Sequence, residues 1–540
     1  MTQVIIFTGT SRTDPKNKIY SQQDMTASIL MRPLGAYQIA SILRANGYTV
    51  QVIDRFHWLI REKGREFYRE VIRPHIGADT LWIGWSNTFW EGDPRAGPED
   101  LKNIGYLAEA ARSVGMREEG LQAMQNYRQE INPNIKFVVG GAKTWRWSQQ
   151  DFKFFDYYVE GYADVMALEL TNWLAGKGDK PACRPNDDGS EILDYDKRGD
   201  KFDFVNHVHR WHPTDYLNQG TSLPIEIARG CIFRCAYCSF PLNNKKKLDF
   251  IREPEQLKEE FVRNYEEYGV TKYYYGDDTH NDSVEKLEFL YDKVYSQLPF
   301  KIEFATYLRL DLLAAHPQTI PLLLESGLVG TFFGIESFNK DANKTVGKGA
   351  TEEKIYENLY KCKDVWKDKV HIHAGLITGL PNDSEDTILD WGMRATSKES
   401  PIDYAMITEL HLFPKWGKDT HWLNKMELNP AFYGYEFEED GIQYTNNVGL
   451  TKSRAAQLAV HLLKNMDEQK KGKDWSMNKS QMQGWYSFAH AANCGMTTHE
   501  YLNKGRLDIL NRRESILNNY YAKLKNGAKI EQNRKDSYDG

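Results

Sequence analysis

The sequence predicts an α/β protein made of two successive units, with a helical region after them. In residues 1–173 and again in residues 223–420, short β-rich runs alternate with stretches of helical periodicity. Strands that are separated by helices are typical of parallel sheets with crossover connections. Beyond about residue 420 the strand pattern fades, and stretches 452–466 and 500–526 are helical in pattern. We therefore predict a doubly wound, Rossmann-like sheet, then a partial or full β/α barrel, then a mostly helical C-terminal domain (421–540).

Composition and charge fit an ordinary globular protein. The chain has 540 residues, of which 41% are hydrophobic and 27% charged, and its formal net charge is −6. This balance argues against a disordered chain and against a protein that coats nucleic acid. No run approaches the ~18 apolar residues of a membrane-spanning helix, and the N-terminus lacks the basic start of a signal peptide. We therefore expect no membrane span and a cytoplasmic location.

Five β-rich runs are predicted to form the parallel sheet of the first unit: 4–8, 49–53, 81–85, 135–139 and 157–160. Sheets of this class bind ligands just beyond the carboxyl ends of their strands. The loops expected at that edge are 8–16, 54–57, 86–90 and 140–143. Residues 174–222 begin with a stretch rich in Gly, Pro, Asp and Lys, and they are predicted as a linker.

Six further strand-like runs suit a β/α barrel: 224–228, 272–275, 301–306, 330–333, 370–377 and 404–412. In such barrels the catalytic residues lie at the carboxyl ends of the strands. Residues that directly follow these runs are therefore the candidates for chemistry.

The cysteines are the most informative residues of the chain. Three of the six lie within eight residues, as Cys231-x3-Cys235-x2-Cys238. A disulfide framework would spread its cysteines and would suit a small secreted chain. Three thiolates can instead hold three irons of a [4Fe–4S] cluster and leave the fourth iron open. A structural zinc site needs four ligands, and no nearby His or Cys completes such a set. The alternative is a group of plain cysteines or an incomplete zinc knuckle.

The segment that carries these cysteines, ARGCIFRCAYCSF (228–240), resembles the cluster loop of the radical S-adenosylmethionine (radical SAM) superfamily. The resemblance implies that the amine and carboxylate of SAM bind the open iron. It also implies that one electron cleaves SAM to methionine and a 5′-deoxyadenosyl radical, chemistry that the cofactor supplies and the protein positions. A reducing partner such as flavodoxin or ferredoxin is then needed. The aromatic side chains Phe233 and Tyr237 are expected to shield the cluster.

Two later segments fit the same family in order and spacing. Gly276, Asp277 and Asp278 follow a predicted strand where the family contacts the amine of SAM, and either carboxylate would accept from that ammonium. The alternative is an acidic loop that caps the next helix. Arg309 resembles an arginine found after the following strand across the superfamily, and its alternative is a surface ion pair.

Two more segments complete the predicted SAM site. Glu336 and Ser337 belong to a GIES segment, which implies contact with the ribose or carboxylate of SAM; the alternative is a capping box. Ile377 lies in GLITGLP, which resembles the segment that backs the adenine. Its glycines permit close approach of the backbone to a ligand, although an ordinary strand-to-helix turn would show the same pattern.

The first unit resembles the cobalamin-binding domain that precedes many radical SAM domains. The resemblance rests on RPLG (32–35), WIGWS (82–86), VVGG (138–141) and VEG (159–161). It implies cobalamin as a further cofactor, with these contact residues: Leu34, Gly35, Ser86, Gly140, Gly141, Glu160 and Gly161. The loop after the first strand lacks the usual cobalt-binding histidine, so the resemblance implies a cobalt without that ligand.

The leading functional hypothesis is a cobalamin-dependent radical SAM methyltransferase that acts on an unactivated carbon. The second hypothesis is a radical SAM enzyme with a vestigial cobalamin domain that performs cyclisation, rearrangement or oxidation. A methylthiotransferase is disfavoured, because residues 1–182 lack the cysteines of its second cluster. A remote alternative is a non-enzymatic iron–sulfur or nucleic-acid-binding module. The expected substrate is a small molecule or natural-product precursor, with nucleic acid as an alternative.

Overall fold

Two large sheets organise the part of the chain that the computed structural model describes. That part comprises residues 2–9, 30–86, 118–141, 154–186, 189–193, 201–240, 242, 244–414, 423–470, 485–504 and 506–538. The first sheet has seven strands and the second has six, and a two-stranded sheet follows them. None of the described helices is long and apolar enough to cross a membrane.

The first sheet has the order β2-β1-β3-β4-β5-β7-β6 and is parallel except at its last pair. Its strands are β1 Val4–Phe7, β2 Val50–Ile53, β3 Trp82–Ser86, β4 Lys136–Gly140, β5 Tyr157–Val159, β6 Cys183–Pro185 and β7 Glu191–Leu193. All five predicted strands are therefore confirmed within two residues at each end. Alternate residues of each strand are buried on opposite faces, so that Val4 and Ile6 join one apolar cluster while Ile5 and Phe7 join another. This two-sided burial is the signature of a doubly wound sheet.

Helices connect these strands and cover both faces. The described ones are α1 Leu34–Ala45, α2 Phe56–Phe67, α3 Arg73–His75, α4 Glu118–Ile131 and α5 Asp164–Leu174, with a π-helical turn Tyr68–Ile72 between α2 and α3. Helices α1 and α5 contact each other on one face, where Tyr37 and Leu170 join the same apolar cluster as Val4. The opposite face buries Phe56 and, from the far end of the chain, Leu517.

The stretch 174–222 is more than the linker that the sequence predicts. It supplies β6 and β7, which pair antiparallel with each other while β7 extends the first sheet beyond β5. The pairing is possible because Ile192 and Leu193 bury their side chains at 3% and 0% exposure. Between the two strands, the Asn186 N–H donates to the Ser190 carbonyl at 2.9 Å.

The second sheet is open and all-parallel, and each of its strands pairs with the next strand along the chain. Its strands are β8 Ser222–Ile225, β9 Lys272–Tyr275, β10 Glu303–Leu308, β11 Leu328–Glu336, β12 His371–Thr378 and β13 Tyr404–Glu409. Strands β8 and β13 are its two edges, so the predicted barrel is present in its partial form. Its helices are α6 Pro254–Tyr268, α7 Val284–Lys293, α8 Leu310–Ala315, α9 Thr319–Glu325, α10 Lys340–Val346, α11 Glu352–Trp366 and α12 Glu385–Ala395.

The described C-terminal region is mostly helical, as predicted. It contains α13 Lys425–Leu428, β14 Glu436–Phe437, β15 Tyr444–Thr445, α14 Lys452–Gln469, α15 Ser487–Asn493, α16 Thr498–Asn503 and α17 Arg506–Tyr538. Helix α15 lies against β8 and β9. The Asn493 side-chain oxygen accepts from the Ser222 N–H at 2.9 Å and from the Thr221 hydroxyl at 2.6 Å. The tail therefore fills the inner face of the open barrel at the amino ends of its strands.

Replacement of Gly330 by Ala is expected to lower the midpoint of thermal unfolding. A Cβ at this position of β11 would lie 2.2 Å from the carbonyl oxygen of Trp485, and overpacking of this kind costs about 1–3 kcal/mol. Gly35→Ala is the matched control, because a Cβ there meets nothing within 4 Å and alanine favours a helix. Calorimetry that gave equal midpoints for the two variants would contradict the close packing of the tail against β11.

Candidate functional site

The loop that carries the three cysteines follows the carboxyl end of β8. Gly230 adopts a φ of 78°, and a Cβ there would lie 2.5 Å from the Leu242 carbonyl oxygen, so only glycine fits. The Cys231 N–H donates to that same carbonyl at 3.1 Å. At the other end of the loop, the Ala236 N–H donates to the Val346 carbonyl at 3.2 Å. None of the six cysteines is in a disulfide, and these bonds hold three of them on one short loop.

Arg309 reaches the cysteine loop from the carboxyl end of β10. Its guanidinium donates to the Cys235 sulfur at 3.4 Å and lies 3.8 Å from the centre of the Phe233 ring. Two bonds to Asp311, of 3.0 and 2.6 Å, fix the orientation of the guanidinium. Thr279 approaches a second thiol, with its hydroxyl 3.3 Å from the Cys231 sulfur. Arg309 is therefore a buried residue in contact with a cysteine sulfur. The alternative from the sequence was an ion pair at the surface.

The two adjacent acids after β9 have different environments. One carboxylate oxygen of Asp277 accepts from the N–H groups of Ile227 and Ala228 at 2.8 and 3.1 Å. Its other oxygen lies 3.6 Å from the Lys286 ammonium and 3.3 Å from the His280 ring. Asp277 thus links the segment after β8 to the loop after β9. The neighbouring Gly276 is exposed.

Asp278 is the acid that is available for a ligand. Burial, and then the neighbouring charge of Asp277, raise the pKa of Asp278 to about 6. An ammonium group placed against this carboxylate would restore its ionised form. Of the two acids, Asp278 is therefore the better candidate to receive a cation.

Glu336 ends β11 in a backbone conformation that is rare for its residue type, with a φ of 68°. Its carboxylate accepts from the Tyr237 hydroxyl and lies 3.4 Å from the Lys348 ammonium. A Cβ on Gly334 would lie 2.6 Å from one of the carboxylate oxygens, so that glycine makes room for the acid. Backbone strain of this type is found at functional sites.

Ser337 and Ile377 lie on either side of this acid. Ser337 is fully buried, and its hydroxyl accepts from the Asn339 N–H at 3.0 Å and lies 3.5 Å from Asp383. Helix α10 is capped by Asn339, so the predicted capping role does not fall to Ser337. Ile377 packs in the same small apolar cluster as Tyr237. The sequence-predicted SAM residues therefore surround the cysteine loop on one end of the barrel.

The predicted cobalamin contacts that the structure describes lie at the carboxyl edge of the first sheet. Ser86 is in register with Gly140 at the ends of β3 and β4, and Gly140 is in register with the end of β5. Glu160 follows β5, is buried, and lies 3.3 Å from the Arg184 guanidinium. Gly141 and Gly161 have φ values of 123° and 93°, which glycine adopts without strain.

Leu34 and Gly35 begin helix α1, the helix that follows β1. Many residues of the loops that the sequence predicts at this edge lie outside the described residues. This applies to residues 10–16 of the loop after β1, to 87–90 after β3 and to 142–143 after β4.

An ion pair that the sequence did not predict joins the two units at this edge. Arg229, two residues before Cys231, makes two bonds of 2.9 and 3.0 Å to Asp164 in the first turn of α5. The ring of Tyr162 lies 4.7 Å from the same guanidinium. Glu226 accepts from Arg229 at 3.0 Å, and burial raises the pKa of Glu226 to about 7. The carboxyl ends of β5 and β8 therefore meet beside the cysteine loop.

Comparison with known families identifies the second unit. Residues 225–391 match the model of the Radical SAM superfamily. These residues therefore form a radical SAM domain. The matched segment contains the cysteine loop and every predicted SAM residue, and a radical SAM domain implies a [4Fe–4S] cluster and SAM as cofactors. No curated protein sequence matches the chain significantly.

Solved structures resemble the whole chain and not only its radical SAM domain. The radical SAM methyltransferase TsrM from Kitasatospora setae, solved with a SAM analogue, is 15% identical, with a TM-score of 0.58 over 95% of this chain and 99% of that one. The cobalamin-dependent SAM radical enzyme OxsB is 14% identical, with a TM-score of 0.51 over 80% of this chain and 56% of that one. At these identities the likeness shows a shared fold, in which a Rossmann-like sheet precedes the barrel.

The residues of the radical SAM domain fit the cluster that the family implies. Among the described residues, no three His, Cys, Asp or Glu side chains are arranged around a single metal ion. A [4Fe–4S] cluster needs a different arrangement, because its thiolate ligands each bind a separate iron and do not surround one metal ion. Three thiols on one loop supply such a donor set, and Arg309 donates to the Cys235 sulfur beside it. Bound there, the cluster supplies the electron that cleaves SAM.

The other residues that the sequence predicts for SAM have defined positions around this loop. Asp277 holds the loop on which Asp278 stands, through its bonds to the N–H groups of Ile227 and Ala228. Arg309 places a positive charge beside the Cys235 sulfur and against the Phe233 ring. Glu336 is held by Tyr237 and Lys348, and Ile377 packs in the same apolar cluster as Tyr237.

Proposed function

We propose that the protein is a cobalamin-dependent radical SAM methyltransferase that acts on an unactivated carbon. The observation that carries the proposal is the bidentate Arg229–Asp164 pair, because it joins the carboxyl ends of strands from both units. A ligand beyond the edge of the first sheet, where such sheets bind ligands, would then face the cluster loop. In this arrangement cobalamin supplies the methyl group, and the 5′-deoxyadenosyl radical takes a hydrogen atom from the substrate carbon.

The two solved structures support the presence of cobalamin in this fold. TsrM has been solved with cobalamin and a [4Fe–4S] cluster bound, and OxsB with aqua-cobalamin. Strands β3 and β4, in the middle of the first sheet, end in the small residues Ser86 and Gly140. Small residues at the strand ends leave the backbone open to close approach by a large flat ligand.

The proposed substrate is a small organic molecule. On the inner face of the barrel, Tyr307 is 39% exposed and its ring lies 4.8 Å from that of Trp485. Glu226 lies at the same end of the barrel, and burial raises its pKa to about 7. An exposed ring and an acid of this kind suit a substrate with a flat apolar part and a hydrogen-bond donor.

Corrinoid binding and product analysis test the proposed function together. Protein that is reconstituted anaerobically with iron, sulfide and hydroxocobalamin is expected to keep about one corrin per chain after gel filtration, measured by absorbance. With SAM, reductant and substrate candidates, methylated product and S-adenosylhomocysteine are expected. Protein that retains no corrin, or that releases 5′-deoxyadenosine with an unmethylated product, would contradict methyl transfer and favour other radical chemistry.

A further inference from the structure

Three consecutive lysines follow the cysteine loop, and the structure gives them different environments. Lys246 and Lys247 are exposed. The side chain of Lys245, in contrast, is 0% exposed. The Lys245 N–H donates to the Cys231 carbonyl at 3.3 Å, so the residue is tied to the backbone of the first cysteine. A buried ammonium therefore lies on the segment that holds Cys231 in place.

The neighbours of the Lys245 ammonium satisfy it only in part. It donates to the Asp249 carbonyl at 2.7 Å and lies 3.7 Å from the Asp282 carboxylate. An ammonium has three donors, and the Asp249 carbonyl is the one acceptor at hydrogen-bond distance among the described residues. A buried charge with so few partners costs free energy unless an anion lies close to it.

Asp282 does not belong to Lys245 alone. The Lys286 ammonium lies on its other side, at 3.6 Å, and donates to the Thr279 carbonyl at 3.1 Å. The Thr279 hydroxyl in turn lies 3.3 Å from the Cys231 sulfur. One carboxylate is thus shared by two buried ammonium groups next to the cysteine loop, and this leaves Lys245 short of negative charge.

We propose that the buried ammonium of Lys245 raises the reduction potential of the cluster that the cysteine loop binds. The inference rests on the cluster of the radical SAM domain and not on methyl transfer. A four-iron cluster held by three thiolates is anionic, and reduction by one electron adds a further negative charge. A positive charge that is buried beside the loop stabilises the reduced state more than the oxidised one, because solvent screens it little.

The electrostatic neighbours of Lys245 agree with this role. The Cys231 sulfur and two acids attract its ammonium, while Lys286 repels it. A lysine that only tethered the chain through the Asp249 carbonyl would affect the stability of the loop. It would not change the potential of a complete cluster, so the potential is the quantity that separates the two roles.

The reduction potential of the full-length reconstituted protein is measured by anaerobic titration with dithionite and redox mediators, from the electron paramagnetic resonance signal of the reduced cluster. Lys245→Met removes the charge and keeps a long unbranched side chain. It is expected to lower the equilibrium constant for reduction about tenfold, a shift of about 59 mV to more negative potential. Asp282→Asn removes the shared negative charge and is expected to shift the potential in the opposite direction.

The same run of lysines offers a matched control. Lys247 is 59% exposed, so solvent screens its charge, and Lys247→Met is expected to keep the potential of the parent protein. Lys245→Arg keeps the positive charge and is expected to shift the potential less than Lys245→Met. Iron and sulfide per chain are measured for every variant, so that only complete clusters are compared.

The proposal is overturned if Lys245→Met with a complete cluster keeps the potential of the parent protein, or if Lys247→Met shifts it as far. If Lys245→Met assembles no cluster, Asp282→Asn decides, and an unchanged or more negative potential in that variant overturns the proposal. A parent protein that assembles no four-iron cluster would overturn the radical SAM assignment as well. Complete clusters with equal potentials in all variants would overturn this proposal alone.

Discussion

Cys235→Ala is expected to reduce SAM cleavage below detection, because the cluster would lose one of its three protein ligands. A thiolate is the ligand that iron requires here, and the methyl group of alanine cannot replace it. The loop would also lose the partner of the Arg309 guanidinium, which donates to this sulfur at 3.4 Å. Iron and sulfide per chain, together with 5′-deoxyadenosine release under dithionite, measure the effect.

Cys183→Ser is the control for this variant. Cys183 is a free thiol at the start of β6, far along the chain from the cysteine loop, and the variant should keep its iron, sulfide and SAM cleavage. Retained cleavage in Cys235→Ala would show that the radical SAM cluster does not depend on this thiol, and the ligand assignment would fail.

Asp278→Asn is expected to weaken SAM binding by about 10- to 100-fold. A hydrogen bond to a charged group contributes about 1.5–3 kcal/mol, and each 1.4 kcal/mol is a factor of ten in affinity. Asn keeps the shape of the side chain but removes the negative charge that would face the ammonium of SAM. Equilibrium dialysis with labelled SAM on reconstituted protein gives the dissociation constant directly.

Asp277→Asn separates a binding role from a structural one. Asp277 accepts from two backbone N–H groups and lies 3.6 Å from the Lys286 ammonium, so its loss should lower the midpoint of thermal unfolding. Asp278→Asn should leave that midpoint unchanged or raise it, because it removes a charge that burial disfavours. Tight SAM binding by Asp278→Asn, with weak binding by Asp277→Asn, would exchange the roles of the two acids.

Local pattern was enough to predict both sheets. Runs such as 4–8 and 272–275 consist mostly of β-branched or aromatic residues, are bounded by turn residues, and are separated by helices, so their composition and order predicted the parallel topology. The three-residue strands β6 and β7 escaped prediction because they lie among Gly, Pro and Asp residues. Strand β7 is held by pairing with β5, a partner that lies outside the local sequence, and β6 in turn pairs with β7.

The site shows the same division between local and distant information. The spacing of the three cysteines was enough to predict the cysteine loop, because all three lie within eight residues of one another. The sequence could not decide which of Asp277 and Asp278 has the structural role. That depends on which carboxylate accepts from the N–H groups of Ile227 and Ala228, and only the structure shows this. The Arg229–Asp164 pair joins residues 65 positions apart, and no periodicity in a single sequence records such a pair.

A crystal structure of the anaerobically reconstituted protein with hydroxocobalamin tests the central claim most directly. The account predicts density for one corrin beyond the carboxyl ends of β3, β4 and β5, between Gly140 and the cysteine loop. Density there for protein side chains alone, in crystals whose [4Fe–4S] cluster is complete, would contradict a cobalamin-dependent methyltransferase.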